Sequence, residues 1–367
     1  MTATPEVVIV GGGAVGAACA RELSRAGRSV LVVDRGDRVG EGWRASAGLL
    51  APQIDASEGD PLFELSVAGR EYFRGAAPEL LDTTRIDVEL YDRGVTRLAH
   101  GETEVDRLKE SLAWQRQQGH RTEWLDPAEL KSEWPWLAPA DGALFAPHDG
   151  SVDPTRLVEA LRADAERLGA RFVSDTVNRI ETVDGRVVAA VGASRHKGAE
   201  FVLAAGAWSG RLAGLPRPVS VEPVKGQMAA LPWPTNVPPV VVYGTGVYVL
   251  HRRGEALVGA TKEHAGFSIA VSDEATTGLV ACGRSLLPGL GSLAVTRSWA
   301  GLRPGTPDGL PIVGREPSVR GLWYATGHGR NGILLAGITG IVLGHLMAGE
   351  ATFEDIEVMR PERFWSW

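Results

Sequence analysis

Continuous apolar runs and a helix-like segment alternate at the start of the chain. Residues 7–10 (VVIV) and 29–33 (SVLVV) are β-branched runs typical of strands buried on both faces of a parallel sheet. Residues 17–26 between them have helical propensity, and Gly27 is placed to end that helix. The order of strand, glycine-rich turn, helix and strand predicts a βαβ unit.

The same pattern returns twice later in the chain. Residues 154–168 are amphipathic and lead into a predicted strand at 169–173, and residues 201–206 and 322–326 are further buried-strand runs. A long glycine-rich helix is predicted after the last of these strands, at residues 332–349. These pieces predict an α/β domain assembled from separated segments of the chain.

The intervening segments follow a different pattern, that of an α+β unit with antiparallel strands. Helices are predicted at 64–74, 102–118 and 273–287, two strands about a turn at 87–98, and short antiparallel strands over 239–260. We therefore expect an α/β protein of two discontinuous domains. The first comprises residues 1–80, 148–222 and 300–367, and the second comprises 81–147 and 223–299.

Composition narrows the classes of function. Lys and Arg number 38 against 45 Asp and Glu, a net charge of −7, which argues against a nucleic-acid partner. The eight histidines and two cysteines show no metal-ligand spacing, so no metal site is expected.

The apolar runs at 7–20 and 332–349 are interrupted by glycine, and we expect neither to span a membrane. The first residues carry no basic segment before an apolar run, which favours a cytoplasmic location.

The turn after the first strand carries the most specific motif. Gly11, Gly13 and Gly16 form G-x-G-x-x-G between a buried strand and a helix, the arrangement that binds a dinucleotide pyrophosphate at a helix N-terminus. Asp34 ends the second strand, where an acid can accept hydrogen bonds from ribose hydroxyls. At this point NAD and FAD both remain open.

Two later segments favour FAD. Residues 44–50 (RASAGLL) are small and suited to backbone contact with a flat ligand. Residues 326–333 (TGHGRNGI) turn from a strand into a helix, so that the N–H groups of Gly332 and Ile333 could stabilise negative charge on a reduced flavin.

Five segments taken together resemble one family. GGGAVG, RASAGLL, GVYVLHR with LVGAT, RSWAGLRPGTPDGLPIVGR and GHGRNGILLAGITG occur in order along the whole chain, and they are similar to the bacterial glycine oxidase branch of the D-amino-acid oxidase family. The resemblance implies a glutathione-reductase-type, Rossmann FAD-binding domain and a substrate domain with an antiparallel sheet. It also implies a homotetramer.

The resemblance implies non-covalent FAD, since neither Cys19 nor Cys282 stands where related sarcosine oxidases tether the flavin. The cofactor-binding residues that motif and resemblance indicate are Gly11, Gly13, Ala14, Val15, Gly16, Asp34, Arg35, Arg44, Ala45, Ser46, Ala47, Gly48, Leu49, Val177, Gly206, Trp208, Gly327, His328, Gly329, Arg330, Asn331, Gly332 and Ile333.

The resemblance also places the substrate. Arg303 matches the family's carboxylate-anchoring arginine, Tyr248 its pocket tyrosine, and Arg330 a second arginine near substrate and flavin. The chemistry agrees, because a guanidinium binds a planar carboxylate through two parallel charge-assisted bonds.

Three pocket positions depart from the best-known family member, and this chain has Leu49, Gly246 and Lys262 there. Lys262 either favours a second carboxylate on the substrate or reaches into solvent.

The implied reaction is oxidative deamination of glycine and small amines or D-amino acids. The α-hydrogen leaves as hydride to flavin N5, and O2 reoxidises the flavin to H2O2. The product imine would supply thiazole assembly in thiamine synthesis. Two alternatives stay open: a dehydrogenase that passes electrons to a quinone, and a flavin-binding protein without amine oxidase activity.

Overall fold

The computed structural model describes residues 4–36, 40–350 and 354–364. The helices are α1 Ala14–Arg25, α2 Gly42–Ala45, α3 Phe63–Thr84, α4 Glu102–Gln117, α5 Pro127–Glu133, α6 Pro154–Arg167, α7 Asp273–Leu286 and α8 Ala336–Ala348. The strands are β1 Val7–Val10, β2 Val30–Asp34, β3 Leu49–Leu50, β4 Val95–Ala99, β5 Glu123–Leu125, β6 Gly142–Ala146, β7 Gly150–Ser151, β8 Arg171–Ser174, β9 Arg179–Val183, β10 Arg186–Val191, β11 Arg195–His196, β12 Glu200–Leu203, β13 Glu222–Pro232, β14 Val241–Gly244, β15 Val247–Arg252, β16 Glu255–Gly259, β17 Arg297–Gly305, β18 Ile312–Arg315 and β19 Leu322–Thr326.

A six-stranded sheet in the order β18-β19-β12-β1-β2-β8 forms the first half of the fold. Its strands are parallel except for β18. Helices α1, α6 and α8 cover one face, and the small antiparallel sheet β9–β11 covers the other. Both faces of β1 are buried, which explains why its sequence is continuously apolar. The predicted α/β class is confirmed.

An eight-stranded sheet in the order β17-β13-β16-β15-β14-β4-β6-β5 forms the second half. Its ladder is antiparallel apart from the β14–β4 pair. Helices α5 and α7 pack on one face around apolar residues such as Leu286. The opposite face, which includes Met228 and Tyr243, packs against residues 47–54 of the first half.

Two predicted elements differ in the structure. Only β4 forms within residues 87–98, because the Asp87 side chain accepts a hydrogen bond from the N–H of Glu89 and Glu89 has φ +53°, a turn conformation. The helix predicted from Gly332 begins instead at Ala336, after a 3₁₀ turn over Gly329–Asn331. Within the described residues, no helix has both the length and the apolar character needed to cross a membrane.

The two sheets alternate along the chain as the sequence pattern indicates. Strands β13 and β17 pair side by side, and each runs across one of the predicted domain boundaries, at 222 and at 300. The division into two domains stays a prediction, and its end residues 1–3 and 365–367 lie outside the described residues.

Two glycines of α3 give a matched test of packing. A Cβ on Gly69 would lie 2.5 Å from the carbonyl oxygen of Leu334, whereas one on exposed Gly75 would meet nothing within 4 Å. We expect Gly69→Ala to lower the free energy of unfolding by about 1–3 kcal/mol, the usual cost of overpacking. Gly75→Ala should raise it by about 0.5–1 kcal/mol, because alanine favours the helix. Urea unfolding of both variants checks this, and equal effects would contradict the α3–Leu334 packing.

Candidate active site

A cavity of about 1350 Å³ is lined by residues from both sheets. One part borders the glycine-rich turn after β1 and the end of β2, and another borders strands β13, β14, β15 and β17 of the eight-stranded sheet. The turn that follows β19 lines the same cavity. A long ligand can therefore extend from the phosphate-binding turn to the second sheet within one cavity.

The glycine-rich turn is fixed by close backbone contacts. Gly11 has φ +103°, and a Cβ there would overlap the carbonyl of Ala204, which directly follows the strand beside β1. A Cβ on Gly16 would overlap the carbonyl of Gly11. Helix α1 begins at Ala14 with no side chain capping its N-terminus, so its first N–H groups face the cavity that Gly13, Ala14 and Val15 line. This end of the cavity suits a pyrophosphate.

Asp34 at the end of β2 holds this turn together. Its carboxylate accepts hydrogen bonds from the N–H of Gly12 at 2.6 Å and of Gly36 at 2.9 Å. Arg162 lies 3.6 Å from the same carboxylate and donates to the carbonyl of Gly12 at 2.8 Å. Asp34 also borders the cavity, where it can accept further bonds from a ribose.

The small-residue segment that starts at Ala45 presents its backbone to the cavity. Trp299 donates to the carbonyl of Ala45 at 3.1 Å, and Arg252 donates to the carbonyl of Ala47 at 3.2 Å. Gly48 has φ +75°, and a Cβ there would overlap the carbonyl of Val152. The eight-stranded sheet thus holds the position of this segment.

The turn after β19 brings a second set of backbone donors to the cavity. His328 is buried and its Nε2 hydrogen-bonds Thr339 Oγ1 at 3.0 Å, while burial lowers the pKa of His328 to about 4. The imidazole is therefore neutral at physiological pH. Gly332 and Ile333 both line the cavity.

Arg303 on β17 is a largely buried cation without an acidic partner. Its Nη1 donates to the carbonyl of Thr261 at 2.9 Å, and among the described residues no carboxylate forms an ion pair with it. Burial lowers the pKa of Arg303, and nearby Arg330 acts in the same direction. A Cβ on Gly226, on the neighbouring strand, would lie 2.5 Å from Arg303 Cζ. The guanidinium therefore occupies space that only glycine leaves open.

Tyr248 on β15 lies near Arg303, and it too occupies space beside a glycine of the neighbouring strand. A Cβ on Gly259, its cross-strand partner, would lie 2.6 Å from the Tyr248 hydroxyl. Among the described residues the hydroxyl donates only to Met228 Sδ, at 3.8 Å, which is a weak bond. Burial raises the pKa of Tyr248 to about 12, although Arg303 opposes the shift. The phenol thus stays protonated and is able to donate to an anion.

Arg330 has a different environment from Arg303. Its side chain is 60% exposed, and Nη1 pairs with Asp55 Oδ2 at 2.7 Å. The other oxygen of Asp55 pairs with Arg97 Nη1 at 2.9 Å. All three side chains line the cavity.

Most of the residues that the sequence indicated border this one cavity. Gly16, Arg44 and Gly327 do not: Gly16 packs on Gly11, and a Cβ on Gly327 would lie 2.6 Å from Thr306. Arg44 stacks on Trp43. The residues that do line the cavity are Gly11, Gly13, Ala14, Val15, Asp34, Arg35, Ala45, Ser46, Ala47, Gly48, Leu49, Val177, Gly206, Trp208, Gly246, Tyr248, Lys262, Arg303, His328, Gly329, Arg330, Asn331, Gly332 and Ile333.

The sequence reasoning missed several residues that line the cavity or lie behind its wall. Gly226 and Gly259 lie in ordinary strand sequence, and only the register places them beside Arg303 and Tyr248. Trp43 approaches within 3.1 Å of a Cβ on Gly13, but its aromatic ring belongs to no motif. Asp55 lies in a loop and belongs to no motif. Gly226 and Gly259 could have been found only from the predicted pairing of the strands.

Comparisons with known proteins agree with this geometry. Residues 6–346 match the family described as FAD dependent oxidoreductase. The glycine oxidase of Geobacillus kaustophilus is 33% identical over 97% of this chain and 96% of its own length. The glycine oxidase of Pseudomonas aeruginosa is 35% identical over 95% of this chain and 96% of its own length. The chain belongs to the FAD-dependent oxidoreductase family.

The solved structures lead to the same family. The crystal structure of glycine oxidase from Geobacillus kaustophilus superimposes with a TM-score of 0.93 at 32% identity, and it covers all of both chains. This chain is thus an FAD-dependent oxidoreductase, and its cavity fits the cofactor. The uncapped start of α1 suits the pyrophosphate, and the fixed backbone from Ala45 to Gly48 suits a flat ring.

The space that Gly226 leaves for Arg303 can be tested directly. Gly226→Ala should displace the guanidinium and weaken acetate binding by roughly tenfold to a hundredfold, since a hydrogen bond to a charged group contributes about 1.5–3 kcal/mol. Acetate binding is followed by the absorbance of the bound flavin. Gly278→Ala is the matched control, because Gly278 is exposed on α7 and a Cβ there meets nothing within 4 Å. This variant should leave the acetate affinity unchanged. Unchanged acetate affinity in Gly226→Ala, with FAD still bound, would contradict the arrangement.

Proposed function

We propose that this enzyme is a glycine oxidase, which deaminates glycine and small amines or D-amino acids oxidatively and reduces O2 to H2O2. The observation that carries the proposal is Arg303, a largely buried guanidinium that lines the cavity and has no acidic partner among the described residues. A buried cation of this kind requires an anion, and the carboxylate of an amino acid supplies one. The chain is 33% and 35% identical to two proteins named glycine oxidase, and this similarity supports the same substrate.

Arg303 and Tyr248 bind the substrate carboxylate. The free N–H groups of Arg303 donate to one edge of the carboxylate, and the protonated Tyr248 hydroxyl adds a bond from the adjacent strand. Since Arg303 already donates to the Thr261 carbonyl and Tyr248 to Met228 before the substrate arrives, less side-chain entropy is lost on binding.

Once the carboxylate is held, the amine and α-carbon extend toward the turn after β19. Bound FAD supplies the two-electron acceptor that takes the α-hydrogen as hydride. The nitrogen lone pair of the neutral amine drives this loss, so no side-chain base is needed at the carbon. Tyr248 cannot act as a base near neutral pH, because burial raises its pKa to about 12 and the phenol stays protonated. His328 is a weak base, because burial lowers its pKa to about 4, and its Nε2 is already hydrogen-bonded to Thr339 Oγ1.

FAD is held by the backbone of the phosphate turn, by Asp34, and by segments 45–49 and 328–333. Neither cysteine borders the cavity: Cys19 is buried in α1 and Cys282 is exposed on α7, which supports non-covalent binding. The backbone at Gly332 and Ile333, which lines the cavity, would stabilise negative charge on FAD when the cofactor is bound and reduced.

The imine product is hydrolysed to glyoxylate and ammonia or supplies the thiazole ring of thiamine, as the resemblance implies. A quinone-dependent dehydrogenase is the alternative on the same fold. The yield of H2O2 per glycine oxidised in air separates the two. We also propose, from the resemblance, a cytoplasmic homotetramer.

Lys262 lines the cavity but is exposed, which supports the solvent-facing interpretation of this residue. Leu49 and Gly246 border the same cavity and leave an apolar, uncrowded wall near Tyr248. We therefore propose that these three positions tolerate small substituents on the amino acid.

Substitutions of the two carboxylate ligands should differ in severity. Arg303→Ala should lower kcat/KM for glycine by about two to four orders of magnitude, as expected when one side of a buried ion pair is removed at about 3–5 kcal/mol. Tyr248→Phe removes a single hydroxyl and should cost about 1–2 kcal/mol, mainly in KM. Arg303→Lys should recover part of the loss, since an ammonium lacks the fork. Steady-state kinetics with FAD content measured in parallel checks the ranking, and the reverse order would contradict it.

A further inference from the structure

The mouth of the cavity holds an ion-pair cluster that the proposed chemistry does not use. Asp55 places one carboxylate oxygen 2.7 Å from Arg330 and the other 2.9 Å from Arg97. Both arginines and Asp55 line the same cavity as Arg303 and Tyr248. Asp55 and Arg330 also lie close enough to shift the pKa of Tyr243, the cross-strand partner of Tyr248.

A buried carboxylate, that of Asp149, fixes the backbone of the loop that carries Asp55. Asp149 is fully buried and accepts hydrogen bonds from the N–H of Gln53 at 3.0 Å and of Ile54 at 3.1 Å. Arg70 pairs with the same carboxylate at 2.8 Å. Because the backbone just before Asp55 is held this way, its carboxylate remains at the mouth without support from a ligand.

Asp55 partly offsets a concentration of positive charge. The cations that line this part of the cavity are Arg97, Arg107, Lys262 and Arg330, in addition to Arg303. The nearest acid apart from Asp55 is Glu104, which lies 3.7 Å from Arg97 and 3.6 Å from Arg107. Without Asp55, Arg330 would have no ion-pair partner among the described residues and Arg97 would keep only Glu104, so both could bind the carboxylate of an incoming ligand.

We propose that Asp55 is a specificity residue: its carboxylate occupies Arg97 and Arg330, and so the cavity selects amino acids with a single carboxylate against those with two. A second carboxylate on the substrate would have to displace Asp55 from both arginines and then remain beside it. The Asp55 carboxylate and the second carboxylate of the substrate would repel each other, and this repulsion lowers the affinity for the dicarboxylate. The inference rests on the proposed function only for the identity of the turned-over substrate.

Two substrates that differ only in the second carboxylate measure this selection. Sarcosine carries a methyl group on the nitrogen where iminodiacetate carries a carboxymethyl group. In Asp55→Asn the ratio of kcat/KM for iminodiacetate to that for sarcosine should rise by about tenfold, the value of one charge-assisted contact. Glu58→Gln is the matched control, because Glu58 is an exposed acid on the same loop that does not border the cavity.

Binding of unreactive isosteres gives the same comparison without turnover. Butanoate replaces sarcosine and glutarate replaces iminodiacetate, with a methylene in place of the nitrogen. Titration of the flavin absorbance should show that the unaltered enzyme binds glutarate no more tightly than butanoate. In Asp55→Asn and Asp55→Ala the preference should shift toward glutarate by about tenfold, with Glu58→Gln unchanged.

The outcomes separate the two proposals. A shift in the binding ratio with no flavin reduction by any amino acid would remove the proposed function and leave the role of Asp55 in place. Turnover of sarcosine with a binding ratio that stays within twofold in both Asp55 variants would overturn the role of Asp55. Tenfold tighter binding of glutarate than butanoate by the unaltered enzyme would overturn it too, even if neither variant folds.

Discussion

The desolvated guanidinium of Arg303 is the constraint on which the rest of the site depends. Burial lowers its pKa, its hydrogen bond to Thr261 uses one donor, and no described acid neutralises it. An arginine in such surroundings is costly unless an anion binds beside it. Gly226 in β13 leaves the space that the guanidinium occupies beside the eight-stranded sheet. We propose that this unpaired charge gives the site its affinity for a carboxylate.

The two halves of the fold meet around this charge. The six-stranded sheet presents backbone N–H groups at the start of α1 and after β19, whereas the eight-stranded sheet presents the side chains of Arg303 and Tyr248. Trp299 and Arg252 reach from the second sheet to the carbonyls of Ala45 and Ala47. These contacts fix the segment at the junction, so cofactor and substrate sites keep one relative position.

Much of this arrangement was predictable from local sequence. The apolar runs of β1 and β2, the glycine motif and Asp34 are each specified within a few residues, and the structure places them as the pattern indicates. Contacts between distant segments were not predictable. Gly226 is one glycine in an extended strand, and its meaning depends on its register with β17, about 75 residues away, which sequence periodicity does not determine. Likewise, Asp55 acquires its partners only when β4 and the turn after β19 converge on its loop.

We propose that Arg303 recognises the carboxylate of the substrate. Anaerobic flavin reduction by glycine and by glycinamide tests this role directly, because the two compounds differ only in that the carboxylate becomes a neutral amide. The enzyme should reduce its flavin at least about a hundredfold more efficiently with glycine, and Arg303→Ala should bring the two compounds within a few-fold of each other. Equal reduction by both compounds in the unaltered enzyme, or full discrimination retained in Arg303→Ala, would contradict it.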